Sequence, residues 1–158
     1  RLVKADIVLN VQGDEPLLNP NDIKRVIEHK KKHMDSVVNC MSKIDSEEAN
    51  NVNTIKVVTN YDNDLIYMSR SPIPVTKVGL SDNTYKQVCI YAFTKEQLEK
   101  FYKMKKTLLE LDEDIDILRF LEMGINVKMI ETFGTTQSVD VKEDVDKVLE
   151  ILNDINIA

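Results

Sequence analysis

Apolar positions along the chain follow two periods, one of strands and one of helices. Residues 6–12 carry Ile7-Val8-Leu9 and read as a buried strand, ended by the turn-forming Gly13-Asp14-Glu15-Pro16. Asn19 before Pro20 starts a helix that runs to about His33, with Ile23, Val26 and Ile27 on its apolar face. Residues 36–41 and 55–59 are short β-branched strands, and the polar turn 60–64 leads into 65–68, which completes a hairpin. Residues 69–85 hold Pro72, Pro74 and Gly79 without periodicity, which predicts an ordered loop long enough to be functional. A strand follows at 86–93. Thr94-Lys95-Glu96-Gln97 fits a capping box for a helix facing inward through Leu98, Phe101 and Tyr102. A further helix is expected over about 112–123, stopped at Gly124, then a strand at 126–131. The last helix, 143–153, should bury Val145, Val148, Leu149 and Leu152. Strands punctuated by helices predict a layered α/β domain with no internal repeat.

Composition narrows the classes. The 158 residues suit one domain, 1–158, and 42% hydrophobic with 30% charged residues excludes a largely disordered chain. No apolar run approaches the roughly 20 residues of a membrane helix, so no membrane insertion is expected. A net charge of −6 argues against nucleic acid as partner, while leaving room for a small anion in a local pocket. Cys40 and Cys89 are far apart and carry no disulfide, zinc or nucleophile motif, which favours a cytoplasmic setting. The chain opens on Arg1 and enters a strand almost at once, as a piece cut from a larger domain would.

The most informative stretch is Asn10-Val11-Gln12-Gly13-Asp14-Glu15-Pro16. An apolar strand delivers an amide and two carboxylates at its carboxyl end, where open α/β sheets place ligands. Gly13 leaves room for a phosphate or sugar beside the backbone. Magnesium suits such a place, because it takes one or two carboxylates and completes its shell with water and phosphates. A plain solvated turn explains these residues equally well. The second acidic station is Asp140 with Glu143 and Asp144; its spacing alone favours a helix N-cap over a metal ligand. His29 and His33 stand a helical turn apart, but the lysines between them point to a solvated face. Four glycines cannot build a Gly-rich phosphate cradle.

Taken together, these segments resemble the 3-deoxy-manno-octulosonate (KDO) cytidylyltransferases, also called CMP-KDO synthetases. The resemblance runs in order through residues 10–16, Asn53-Thr54-Ile55-Lys56-Val57-Val58, Tyr67-Met68-Ser69-Arg70-Ser71-Pro72-Ile73-Pro74, Ile90-Tyr91-Ala92-Phe93, Ile115-Asp116-Ile117-Leu118-Arg119 and Val139-Asp140. It implies a nucleotide-diphospho-sugar transferase-like fold, a layered mixed sheet flanked by helices, here incomplete at the N-terminus. It also implies transfer of CMP from CTP to a 3-deoxy-2-ulosonic sugar acid, with pyrophosphate released. By the same resemblance Asp14 and Asp140 are the catalytic residues and hold Mg2+. Gln12, Arg70, Gln87, Tyr91 and Asp116 bind substrate. The resemblance further implies a cytoplasmic homodimer in lipopolysaccharide biosynthesis.

Departures from the family pattern sharpen the expectation. Gln87 stands where His is common, Cys89 where Gly is common, and Asp116-Ile117 where Glu-Gln is usual. These fall in the elements expected to shape the sugar site, so an acid other than standard KDO is expected. The family's first strand and its basic CTP-gripping loop have no counterpart in these residues, so poor turnover by this chain alone is expected. A sialic-acid-type cytidylyltransferase and a non-catalytic sugar-binding module remain as alternatives.

Overall fold

The computed structural model describes residues 4–77, 79–81, 83–133, 136–139 and 141–157. Among these the backbone forms eight strands and six helices. In chain order they are β1 (Ile7–Val11), α1 (Pro20–Lys32), β2 (Val37–Lys43), α2 (Ser46–Asn50), β3 (Lys56–Thr59), β4 (Leu65–Ser69), β5 (Val75–Thr76), β6 (Gly79–Leu80), β7 (Tyr85–Thr94), α3 (Lys95–Lys103), α4 (Leu108–Glu113), α5 (Ile117–Glu122), β8 (Val127–Glu131) and α6 (Lys142–Ile157). The main sheet is mixed, in the order β4-β3-β7-β2-β8, with β1 paired to β7. No helix among the described residues is long and apolar enough to cross a membrane.

Strand β7 organises the sheet. One edge pairs antiparallel with β2, which continues in parallel to β8. The other edge is divided: β1 takes residues 90–94, and β3 takes Tyr85 and Lys86. Side-chain alternation then sorts the core onto the two faces. Val37, Met41, Tyr91, Phe93, Val127 and Met129 pack with Leu118 and Phe120 of α5, whose Phe120 ring lies 5.5 Å from Phe93 and 4.9 Å from Phe101. Val38, Cys40, Val88, Ile90, Ala92 and Ile130 pack with Val26 of α1 on the opposite face.

Helix α1 begins as expected, with Asn19 capping Asn21 N–H at 2.9 Å and Pro20 in the first turn. Its buried line is Asp22, Val26 and Lys30, not Ile23, Val26 and Ile27. Burial of two charges is possible because both are satisfied. The Asp22 carboxylate accepts the Phe133 N–H at 3.0 Å. The Lys30 ammonium donates to Met34 O (3.1 Å), Ser36 O and Gln97 Oε1 (2.8 Å). Gln97 closes the expected capping box with Thr94, so one side chain joins α1, the turn before β2 and the start of α3.

Four expectations need correction. The helix expected over 112–123 is two helices, α4 and α5, separated at Asp114, whose backbone is left-handed at φ 53°. The cause is a buried ion pair: both Glu110 carboxylate oxygens accept from Arg119, which folds α4 against α5. Strand β1 is half-exposed instead of buried, since β7 is its only strand partner among the described residues. The expected loop 69–85 contains a short ribbon, β5 with β6, which Thr76 helps to close by donating to Gly79 O. Of the expected inward faces, Tyr102 is exposed, and on α6 Val148 alone of the four named residues is buried. Amphipathic spacing places residues on one face without supplying anything to cover that face. Gly124 ends α5 with φ +71°, as its sequence position indicates.

Candidate functional site

The divided edge of β7 produces a cavity. Where β1 and β3 part, Gln12 N–H donates to Cys89 O at 3.1 Å and Gln87 N–H donates to Ile55 O at 2.8 Å. The two bonds peg the strands on either side of the opening. A cavity of about 540 Å³ lies there, lined by Gln12, Asp14, Arg70, Gln87, Tyr91 and Asp116, with Glu15, Lys86 and Asp114 beside them. Six of the seven site residues named from sequence therefore share one wall system. The seventh, Asp140, lies outside the described residues.

Asp14 sits just past the end of β1. Its Oδ1 is buried with no hydrogen-bond partner among the described residues. Its backbone oxygen accepts the Val139 N–H at 2.8 Å, so the segment ending at 139 is seated against Asp14. An orphaned carboxylate oxygen is costly unless something coordinates it. Placed beside a polar cavity, it fits a hard divalent cation such as Mg2+, which bonds carboxylate and phosphate oxygens. No group of three acidic, His or Cys side chains among the described residues forms a complete metal shell. A cation at Asp14 would therefore draw ligands from water and substrate as well.

Arg70 is held more firmly than an anion-binding arginine needs to be. Its Nε donates to Glu113 O (2.7 Å), and its terminal nitrogens donate to Val52 O (3.3 Å) and Asp114 O (3.1 Å). Three of the five guanidinium N–H groups are thus bonded to backbone carbonyls, and the Asp114 carboxylate lies 3.9 Å from a terminal nitrogen. Glu113 is the anchor, accepting from Ser69 Oγ (2.6 Å), Tyr67 OH (3.2 Å) and the Arg70 backbone N–H (2.9 Å). Burial alone would raise its pKa, but these donors hold the carboxyl below its ordinary value. The left-handed Asp114 places its carbonyl on Arg70 and its side chain at the cavity lip.

Tyr91 is mostly buried, its ring 6.1 Å from that of Phe93. Burial first, and then the neighbouring Cys89 that it hydrogen-bonds, push its hydroxyl well above the ordinary tyrosine range, so it stays protonated. Asp116 is raised by burial first and by the neighbouring Glu110 second. It also lines an adjoining apolar cavity of about 310 Å³ with Val8, Phe93 and Phe101.

Sequence reasoning missed the residues that hold these walls in place. Lys86 donates to Glu48 Oε1 (2.6 Å) and Thr136 O (2.8 Å), tying β7 to α2 and to the segment leading to 139. Lys56 gathers the carbonyls of Asn51, Thr54 and Arg70. Asn39 lies fully buried in β2 against Gln87. One signal was available: a lysine inside an otherwise apolar strand, as at Lys56 and Lys86, must bring its acceptors with it.

Known proteins resemble this chain in sequence and fold. A family model described as cytidylyltransferase matches residues 1–133. A 3-deoxy-manno-octulosonate cytidylyltransferase of Christiangramia forsetii is 35% identical over 154 residues, covering 94% of this chain and 62% of the relative. One of Escherichia coli is 32% identical over 151 residues, covering 95% and 61%. The chain thus spans about three-fifths of the length of these relatives. Among solved structures, a CMP:2-keto-3-deoxy-manno-octonic acid synthetase complexed with CTP superposes with a TM-score of 0.86 at 31% identity, covering 96% of this chain and 64% of that one. An inositol-1-phosphate CTP transferase of T. maritima, at 19% identity and a TM-score of 0.64, shares the fold. The match over residues 1–133 settles the placement: the chain belongs to the cytidylyltransferase family.

Proposed function

We propose that this chain forms the metal- and sugar-acid-binding part of a site that transfers CMP from CTP to a 3-deoxy-2-ulosonic acid, KDO or a close relative. The observation that carries this reading is Asp14, with its buried orphan oxygen, at the mouth of a cavity built from polar side chains. The names of the relatives, and the CTP-complexed structure that superposes on this chain, support the same reaction.

Asp14 and Asp140 would hold Mg2+. Bound there, the cation would offset negative charge on the phosphoryl oxygens and the departing pyrophosphate. The chain's own residues orient the acid. Gln12 and the protonated Tyr91 hydroxyl offer hydrogen bonds, and the planar guanidinium of Arg70 suits a carboxylate. The anomeric hydroxyl gives its proton to solvent as its oxygen bonds the α-phosphorus and the bond from that phosphorus to the bridging oxygen of pyrophosphate breaks. A cytoplasmic homodimer serving lipopolysaccharide biosynthesis belongs to the same reading.

Calorimetric titration of the chain with Mg2+, in the presence of CTP and KDO, tests it. Asp14→Asn should weaken cation binding at least tenfold while leaving the melting temperature within a few degrees. Equal affinity in the variant refutes the assignment.

A further inference from the structure

The buried amide of Asn39 decides which way Gln87 faces. Asn39 is fully buried, at the irregularity where the β2–β7 register shifts after the Asn39–Tyr91 pair. Its Nδ2 donates to Val88 O at 3.0 Å and to Ile90 O at 2.9 Å, so both of its protons go to backbone carbonyls of β7. Carbonyls can only accept, and this fixes the Asn39 amide with Oδ1 on the other side. That oxygen accepts from Gln87 Nε2 at 3.0 Å. The polarity passes on: Gln87 must turn its NH2 group toward Asn39. Its Oε1, which has no partner among the described residues, is left with one Nε2 proton for the cavity that Gln87 lines.

We propose that Asn39 is a positioning residue, and that the Gln87 amide it locks is a specificity determinant reading a pair of adjacent hydroxyls on the ligand. One hydroxyl donates to Oε1 and its neighbour accepts from Nε2–H. This deepens the sugar-acid reading above and rests on it. The chemistry excludes alternatives on its own terms. A carboxylate or phosphate has no proton for Oε1, so an anion is disfavoured at this point and belongs nearer Arg70 and Lys86. An amide does not titrate, so this contact keeps its polarity at any pH at which the protein is folded. The lock comes from β2, an element that contributes no side chain to the cavity wall among the described residues, so Asn39 acts only through Gln87.

The test is a double-mutant cycle on the full chain, with free KDO as the probe and its dissociation constant read by calorimetry. Gln87→Leu and Asn39→Leu should each weaken binding about tenfold, the scale of one lost hydrogen bond to a ligand hydroxyl. The double variant should bind no worse than Gln87→Leu alone, because Asn39 acts through Gln87. Asn39→Ser, which fits without overpacking, serves in the same cycle if the leucine variant does not fold. Nitrogen-15 spectra should show one Gln87 side-chain proton protected from exchange in the unmodified chain and both unprotected in the Asn39 variants. Losses that multiply, Asn39 variants that bind like the parent, or an unprotected Gln87 amide in the parent each overturn the proposal while leaving the sugar-acid reading standing. A parent chain that binds no KDO overturns both.

Discussion

Replacing Lys56 by Met removes an ammonium that is fully buried and donates to Asn51 O (2.8 Å), Thr54 O (2.6 Å) and Arg70 O. Met keeps most of the stem's packing, so the change isolates the charge and its three bonds. A hydrogen bond from a charged donor contributes about 1.5–3 kcal/mol net. Several kcal/mol of that total offsets the cost of taking the ammonium out of water, since burial lowers the Lys56 pKa from its ordinary value. What remains is a loss of about 2–4 kcal/mol, a substantial share of the 5–15 kcal/mol that holds a typical domain together. The melting temperature should fall by about 4–16 °C at this chain length. Urea unfolding followed by circular dichroism measures the first quantity and a thermal melt the second. Amide exchange at Asn53 and Thr54, whose loop Lys56 anchors, should quicken in the variant under native conditions. A loss below about 0.5 kcal/mol would show that the three carbonyls are solvated as well without the lysine, and would refute the reasoning.

Two further outcomes are expected. Burial draws the Lys30 pKa down to about 8 from 10.5. The folded protein therefore releases this proton before the unfolded chain does, and the stability difference between parent and Lys30→Met should move in the parent's favour as pH rises from about 8 to 10.5. Urea midpoints across that range check it, and a flat difference contradicts it. Gly13→Ala should leave stability within about 0.5 kcal/mol, because a Cβ there meets nothing within 4 Å. The same methyl beside Asp14 should weaken binding of Mg2+ with CTP in calorimetry, and unchanged affinity would remove Gly13 from the site.

Local rules made most of the fold legible. The Asn19 cap, the Thr94–Gln97 box and Gly124 each act within a few residues of themselves, and the structure has all three where the sequence indicates. What stayed hidden depends on partners distant in sequence. Nothing near Glu110 announces that Arg119 will take both of its oxygens and break a helix at Asp114. Asp22 and Lys30 look like surface charges until Phe133 N–H and Gln97 are brought to them from 111 and 67 residues away. Periodicity overstated the core of α6, because it records a preference for one side and not the presence of a neighbour. Of the candidate site, the acids and amides were readable as a cluster of chemistry at strand ends. Asn39 was not, since an asparagine in a short β-branched strand carries no mark of the amide it will orient.

The parting of β1 from β3 along β7 also bears on how such a binding site can change over generations. Its floor is the same strand that carries the core: Gln87 and Cys89 line the opening, Val88 and Ile90 pack beneath, and Tyr91 does both. Exchanging Gln87 alters what is held and spares the interior, whereas exchanging Tyr91 changes both. Adding or removing a single residue in β7 would turn floor into interior along its whole length and unmake both at once. Diversity in this chain's descendants should therefore accumulate by replacement within β7, with changes of length confined to the polar turns at either end of the strands around it.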